Sequence, residues 1–206
     1  WKPARRRIDS FFNAHQMPPS ELEIRALWWS LKPIGYADSW TPEPWSHYWS
    51  RIGALLPNFP PVGVEQWLWR HYGCATEFSW LYLPELAVTL EHWPAERILS
   101  HVHGWRDHGL VEKWTEFFMT SPDANSDWLA QRMCISGTWP QPIMVIKNDF
   151  GLRRPDGLEL SAPFHLMEGH HRLGFFRALS LAGAALEPVH EVLAIVPPAA
   201  AILDYW

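Results

Sequence analysis

Hydrophobic positions follow two different rules along this chain. Up to about residue 120, apolar side chains recur at helical spacing in short segments closed by proline. Ser20 is suited to cap a first helix, with Glu21 and Glu23 in the turn that the macrodipole favours. Leu22, Ala26, Trp29 and Leu31 supply its apolar face, and Pro33 ends it. Trp45, Tyr48, Trp49 and Ile52 predict a second helix starting near Pro44. Leu56–Pro61 reads as an extended connector. Gly63–Tyr72 reads as a third helix, with Val64, Trp67, Leu68 and His71 on one side. Further helices are expected over Leu83–Glu91, Pro94–Val102 and Leu110–Met119. No segment repeats at a fixed period, so a solenoid is not supported.

Ser121–Ser126 is polar and turn-rich, and beyond it the pattern changes. Asp127–Ile135 predicts a short helix closed by Ser136-Gly137. Pro142–Ile146 is a short apolar run of strand type, followed by a loop or hairpin from Lys147 to Leu158. Phe164–Glu168 predicts a second strand, Gly169 a tight turn, and His170–Ala182 a helix with Gly183 in place to cap its C-terminal end. Val189–Val196 is a last strand, stopped by Pro197-Pro198. The reading is α+β: a Trp-rich helical region over residues 1–125, then a small mixed sheet with packed helices over residues 126–206.

Composition narrows the function classes. The chain has 206 residues, 48% hydrophobic and 19% charged, which suits a folded protein with a sizeable core. Its formal net charge of -5 argues against broad non-specific nucleic-acid binding. Cys74 and Cys134 are far apart and match no zinc or disulfide spacing. No apolar run approaches the roughly 18 residues of a membrane span, and Trp1–Arg7 lacks the apolar core of a signal peptide, so a cytoplasmic protein is expected. Arg5-Arg-Arg7 reads as a solvated arm. The fifteen tryptophans are read first as core between short helices. An aromatic surface that stacks on bases or docks a protein partner is the functional alternative. His101, His103 and His108 with Asp107 invite a metal reading, but positions two apart do not share a helix face.

Chemistry concentrates at Glu168-Gly169-His170-His171-Arg172. Unpaired backbone N–H groups and the positive macrodipole end make a helix start an anion site. Glycine at 169 lets the backbone turn sharply and approach a ligand. Arg172 offers a planar fork for phosphate, and His171 a donor that strengthens on protonation. Glu168 could hold magnesium or take a proton from an attacking hydroxyl. Lys147, directly after a strand, is a further candidate for charge neutralisation. Asp149, Arg153, Arg154, Asp156 and Glu159 read as a solvated loop. The bland alternative for the turn is a capped helix with Glu168 paired to Arg172.

Gly137–Ile146, Phe164–Arg172, the helix after them and the strand ending in Ala194-Ile-Val196 resemble the ParB/sulfiredoxin superfamily in order and in wording. The Glu-Gly-His-His-Arg turn is similar to the free-serine kinase branch. His170 stands where sulfiredoxins carry a catalytic cysteine, which argues against sulfinic-acid reduction. The resemblance implies a nucleotide (ATP, ADP or CTP) with magnesium, held by Gly169, His170, His171, Arg172 and Lys147. It also implies phosphoryl transfer or nucleotide hydrolysis, with Glu168 and His170 as catalytic residues and Glu168 as metal ligand. A non-enzymatic nucleotide sensor or protein-interaction module is the alternative, and a nuclease a weaker third.

Overall fold

The buried runs of the second half form the centre of one sheet. The computed structural model describes residues 19–36, 42–105, 109–149 and 151–197. In it β3 (Ile143–Lys147) pairs parallel with β5 (Val189–Val196) and antiparallel with β4 (Phe164–Glu168). The edges come from earlier in the chain: β1 (Ala87–Pro94) lies antiparallel on β5, and the two-residue β2 (Val102–His103) lies parallel to β4. The order is β1-β5-β3-β4-β2, and the architecture is α+β.

Both faces of this sheet are covered, which explains why its central strands are continuous apolar runs. Side chains alternate along a strand, so each strand feeds two cores. Met144, Ile146, Met167, Leu193 and Ile195 face one cluster; Ile143, Val145, Leu166, Val192 and Ala194 face the other. The first cluster is roofed by α1 (Glu21–Ser30), α2 (Trp45–Ile52), α3 (Pro61–Val64) and α4 (Tyr72–Ala75). The second is roofed by α5 (Ala95–His101), α6 (Leu110–Thr120), α7 (Trp128–Ser136) and α8 (His170–Leu181). The sheet therefore runs across the junction drawn at residues 125 and 126.

Most described tryptophans serve as core. Trp28 and Trp67 meet edge to face at 5.9 Å between centroids, and Trp67 stacks on Phe59 at 6.3 Å. These rings fill the wide space that short, irregular helices leave over a twisted sheet.

Two expectations are corrected here. Leu83–Glu91 is not a helix: Leu83–Glu85 is a single 3-10 turn, and Ala87–Pro94 is β1, matched residue for residue with β5 from Ala87↔Val196 to Pro94↔Val189. Leu83, Leu86, Ala87 and Leu90 mimic helical spacing, but the unpaired edge of β5 offers eight residues of ladder. In α1 the inward stripe is Trp28 and Leu31, both buried, with Ile24 and Leu27 half-buried beside them, while Leu22 and Trp29 are 77% and 78% exposed. Both stripes have helical spacing. The Trp28 indole decides, because its N–H donates to the Leu81 carbonyl at 2.9 Å inside the core.

Other elements follow local rules. Ser20 and Glu23 form a reciprocal capping box at the start of α1. Gly137 closes α7 in the left-handed conformation, with φ of 64°. Residues 65–69 form a π-helical turn between α3 and α4, inside the segment read as one regular helix. Arg5–Arg7, Asp107 and His108 lie outside the described residues. Among those that are described, no helix is long and apolar enough to cross a membrane.

Candidate functional site

Gly169 controls the site. Its φ of 108° is open to glycine and strained for other residues, and a Cβ there would sit 2.7 Å from the Ile143 side chain. The chain thus leaves β4 close against β3 and turns at once into α8, whose first turn carries no side-chain cap. Above this turn lies a cleft of about 410 Å³. Glu168, Gly169, His170, His171 and Arg172 all line it, so five of the six residues singled out from the sequence come together.

Lys147 does not join them. It pairs across the sheet with Phe164, whereas Glu168 lies opposite Met144, three positions along β3. At about 3.3 Å per residue that separates Lys147 from the turn by about 10 Å. Its ammonium instead bonds Glu91 of β1 at 2.7 Å. Among the loop residues, Arg154 pairs with Asp156 at 2.9 Å and Arg153 with Glu159 at 3.6 Å, around an isolated bridge between 153 and 159. None of these lines the cleft.

The turn is a more committed structure than a free phosphate fork. Arg172 is only 7% exposed. Its Nη1 donates to Gln66 Oε1 at 2.5 Å and to the carbonyls of Gln141 and Pro142 at 3.2 Å. Nη2 donates to Glu168 Oε1, also at 3.2 Å. Burial pushes the guanidinium pKa down and Glu168 holds it up, so the cation persists because its hydrogen bonds are made. The bland alternative, Glu168 paired to Arg172, is therefore present in the geometry. It coexists with a cleft onto which both residues face.

The histidines are also more defined than their spacing implied. His171 packs on Trp114 with 3.3 Å between ring centroids. Desolvation pushes its pKa down and the nearby His71 and Arg172 add to this, opposed by Asp127. It is therefore a neutral donor or acceptor near pH 7, and the strengthening by protonation does not operate there. His170 stands in the wall between this cleft and a second cavity of about 450 Å³, with Nε2 against Gly104. Behind the turn His165 is fully buried; its Nδ1 accepts from the Ser161 amide at 3.1 Å, which places the proton on Nε2. Desolvation, then His170, drive the His165 pKa to about 3.

Much of the cleft comes from residues the sequence reading did not connect with it. Gln66, Arg70, Cys74 and Glu77 form one wall, and Trp105, Trp114 and Trp128 supply aromatic surface. The first four are spaced 4, 4 and 3 apart, a polar stripe that marks one face of a helical segment and could have been found by period alone. Trp114 is placed by Gly174, where α6 crosses α8: a Cβ at 174 would lie 2.5 Å from that of Trp114. Cys74 is not poised as a nucleophile, because desolvation and the carboxylates Glu168 and Glu77 push its thiol pKa up.

Magnesium fits this donor set poorly. Among the described residues no three His, Cys, Asp or Glu side chains are grouped to hold a metal, and Glu168 is already engaged by Arg172. His101 and His103 are likewise part of no such group. What the cleft does provide is backbone N–H groups at a helix start, imidazole rings, one ion pair and flat aromatic walls. No protein-family model, no curated protein and no solved structure matches the chain.

Proposed function

We propose that the protein binds a nucleotide in this cleft, with phosphate at the start of α8 and the base against its aromatic walls. The observation that carries the reading is the uncapped helix start at Gly169–His171, which forms the floor of a cleft about 410 Å³ in volume. That volume falls in the range of small-molecule sites, which combine apolar walls with a few convergent polar groups. Helix-start N–H groups favour anions, and tryptophan rings accept any base face. The wording of the Glu-Gly-His-His-Arg turn, similar to nucleotide-binding members of the ParB/sulfiredoxin superfamily, supports the same ligand class.

Binding without turnover is favoured over phosphoryl transfer. Glu168, the residue nominated as base, is tied to Arg172, and no step is assigned to a metal here. His170 and His171 contact ligand in this reading, His171 as a neutral group. Titration with ATP, ADP and CTP, followed by tryptophan fluorescence and by thermal shift, tests it. Saturable binding that His171→Ala weakens, while the variant stays folded, supports the proposal; no response to any of the three removes it. Release of inorganic phosphate or phosphorylation of an added alcohol would replace the binding module with an enzyme.

A further inference from the structure

The side chain of Gln66 is polar, only 3% exposed, and lies outside the part of the chain that carries the nucleotide-like turn. It belongs to the π-helical turn Glu65–Trp69, where Arg70 N–H reaches back to the Glu65 carbonyl at 3.1 Å. Such turns insert an extra residue into a helix and re-aim side chains, and they recur at functional sites. Here Gln66 is turned inward, onto the loop before β3 and the head of Arg172.

Both ends of its amide are engaged. Nε2 donates to the Pro142 carbonyl at 2.9 Å, and Oε1 accepts from Arg172 Nη1. The Pro142 carbonyl also accepts from Nη1, so three groups close a small buried network. A planar guanidinium fixed at Nη1 has its Nη2 direction fixed as well. That direction points at Glu168, and the pair faces the cleft.

We propose that Gln66 is a positioning residue of the cleft: it holds Arg172, and through Arg172 the Glu168 carboxylate, in the orientation that meets ligand. The first-half helices then take part in recognition through one amide, in addition to roofing the sheet. The effect on affinity rests on the nucleotide reading above; the effect on Arg172 does not.

The experiment uses the full chain labelled with nitrogen-15, with the Arg172 side-chain signals identified by their absence in Arg172→Lys. In the unaltered protein the Nη protons give separate signals, because rotation of a guanidinium bonded on both arms is slow. Gln66→Met keeps the length and loses both bonds. It is expected to merge those signals while backbone dispersion is retained, and to weaken binding of whichever of ATP, ADP and CTP the unaltered protein takes about tenfold. Gln66→Glu restores the acceptor for Nη1 and is expected to restore separate, shifted Arg172 signals. Unchanged Arg172 signals in Gln66→Met overturn the proposal. If Gln66→Met does not fold, unshifted Arg172 signals in Gln66→Glu overturn it instead. If the unaltered protein binds none of ATP, ADP and CTP, the nucleotide reading falls and the Arg172 spectra alone decide the role of Gln66.

Discussion

Arg172 and Glu168 meet across the Gly169 turn, Nη2 to Oε1 at 3.2 Å, with both side chains mostly out of water. Breaking such a pair from one side leaves the other charge uncompensated, which costs about 3–5 kcal/mol. Arg172→Met is therefore expected to lower unfolding stability by about that amount in urea titration. A result below about 1 kcal/mol would show that the pair is solvated. Loss of ligand binding in Arg172 variants consequently says little about phosphate contact unless stability is measured beside it.

The buried His165 makes stability depend on pH. Its folded pKa of about 3 lies below the ordinary 6.5, so the unfolded chain binds more protons between those values. Stability is then complete above about pH 6.5 and falls as pH drops from there toward 3, by at most about 1.4 kcal/mol per pH unit for this group. His165→Asn keeps an acceptor for the Ser161 amide and removes the titration. Melting curves at pH 7, 6 and 5 should show a shallower fall in the variant than in the parent; parallel falls would clear His165 of the role.

Gly174 sets how closely α6 approaches α8. Gly174→Ala places a methyl group 2.5 Å from the Trp114 Cβ and 2.9 Å from the Val111 carbonyl, both backbone-proximal atoms that cannot swing away. Overpacking of this kind costs about 1–3 kcal/mol. Because Trp114 walls the cleft, the substitution should also weaken nucleotide binding. A variant of unchanged stability with unchanged affinity would mean that α6 shifts freely.

Trp128 stands at the rim of the cleft with 67% of its surface exposed. Trp128→Ala should alter stability by no more than about 0.5 kcal/mol, since exposed positions outside special features contribute little. Base stacking on an aromatic ring is worth about 1–3 kcal/mol, so affinity should fall about tenfold. Lys147→Met serves as the control: it removes the pair with Glu91 and should leave affinity unchanged. Equal losses in both variants would place the ligand elsewhere.

The legible parts of this fold are those whose signals are local. β4 and β5 run from Phe164 to Glu168 and from Val189 to Val196, as their apolar runs indicate, and α8 starts at His170 directly after the glycine turn. Ser20, Gly137 and Gly183 act at the helix ends where their conformational preferences place them. β1 was hidden because its pairing partner is distant and because Leu83, Leu86, Ala87 and Leu90 counterfeit a helix. The site divides in the same way. Glu168 to Arg172 was visible as a contiguous motif, whereas Trp105 and Trp114 enter it only through tertiary packing. Lys147 was drawn in by adjacency in sequence and lost by strand register.

The ladder between β1 and β5 also bears on how the chain acquires its structure. Thr89 bonds the carbonyl of Ala194, a partner 105 residues later. During synthesis β1 has no β5 to pair with until that strand has been made, so this edge of the sheet stays open in the interval. High separation between contacting residues slows folding and leaves strand edges available to other chains in the interval. Truncations that stop before Val189 should therefore accumulate as aggregates, even though they retain most of the tryptophan-rich core.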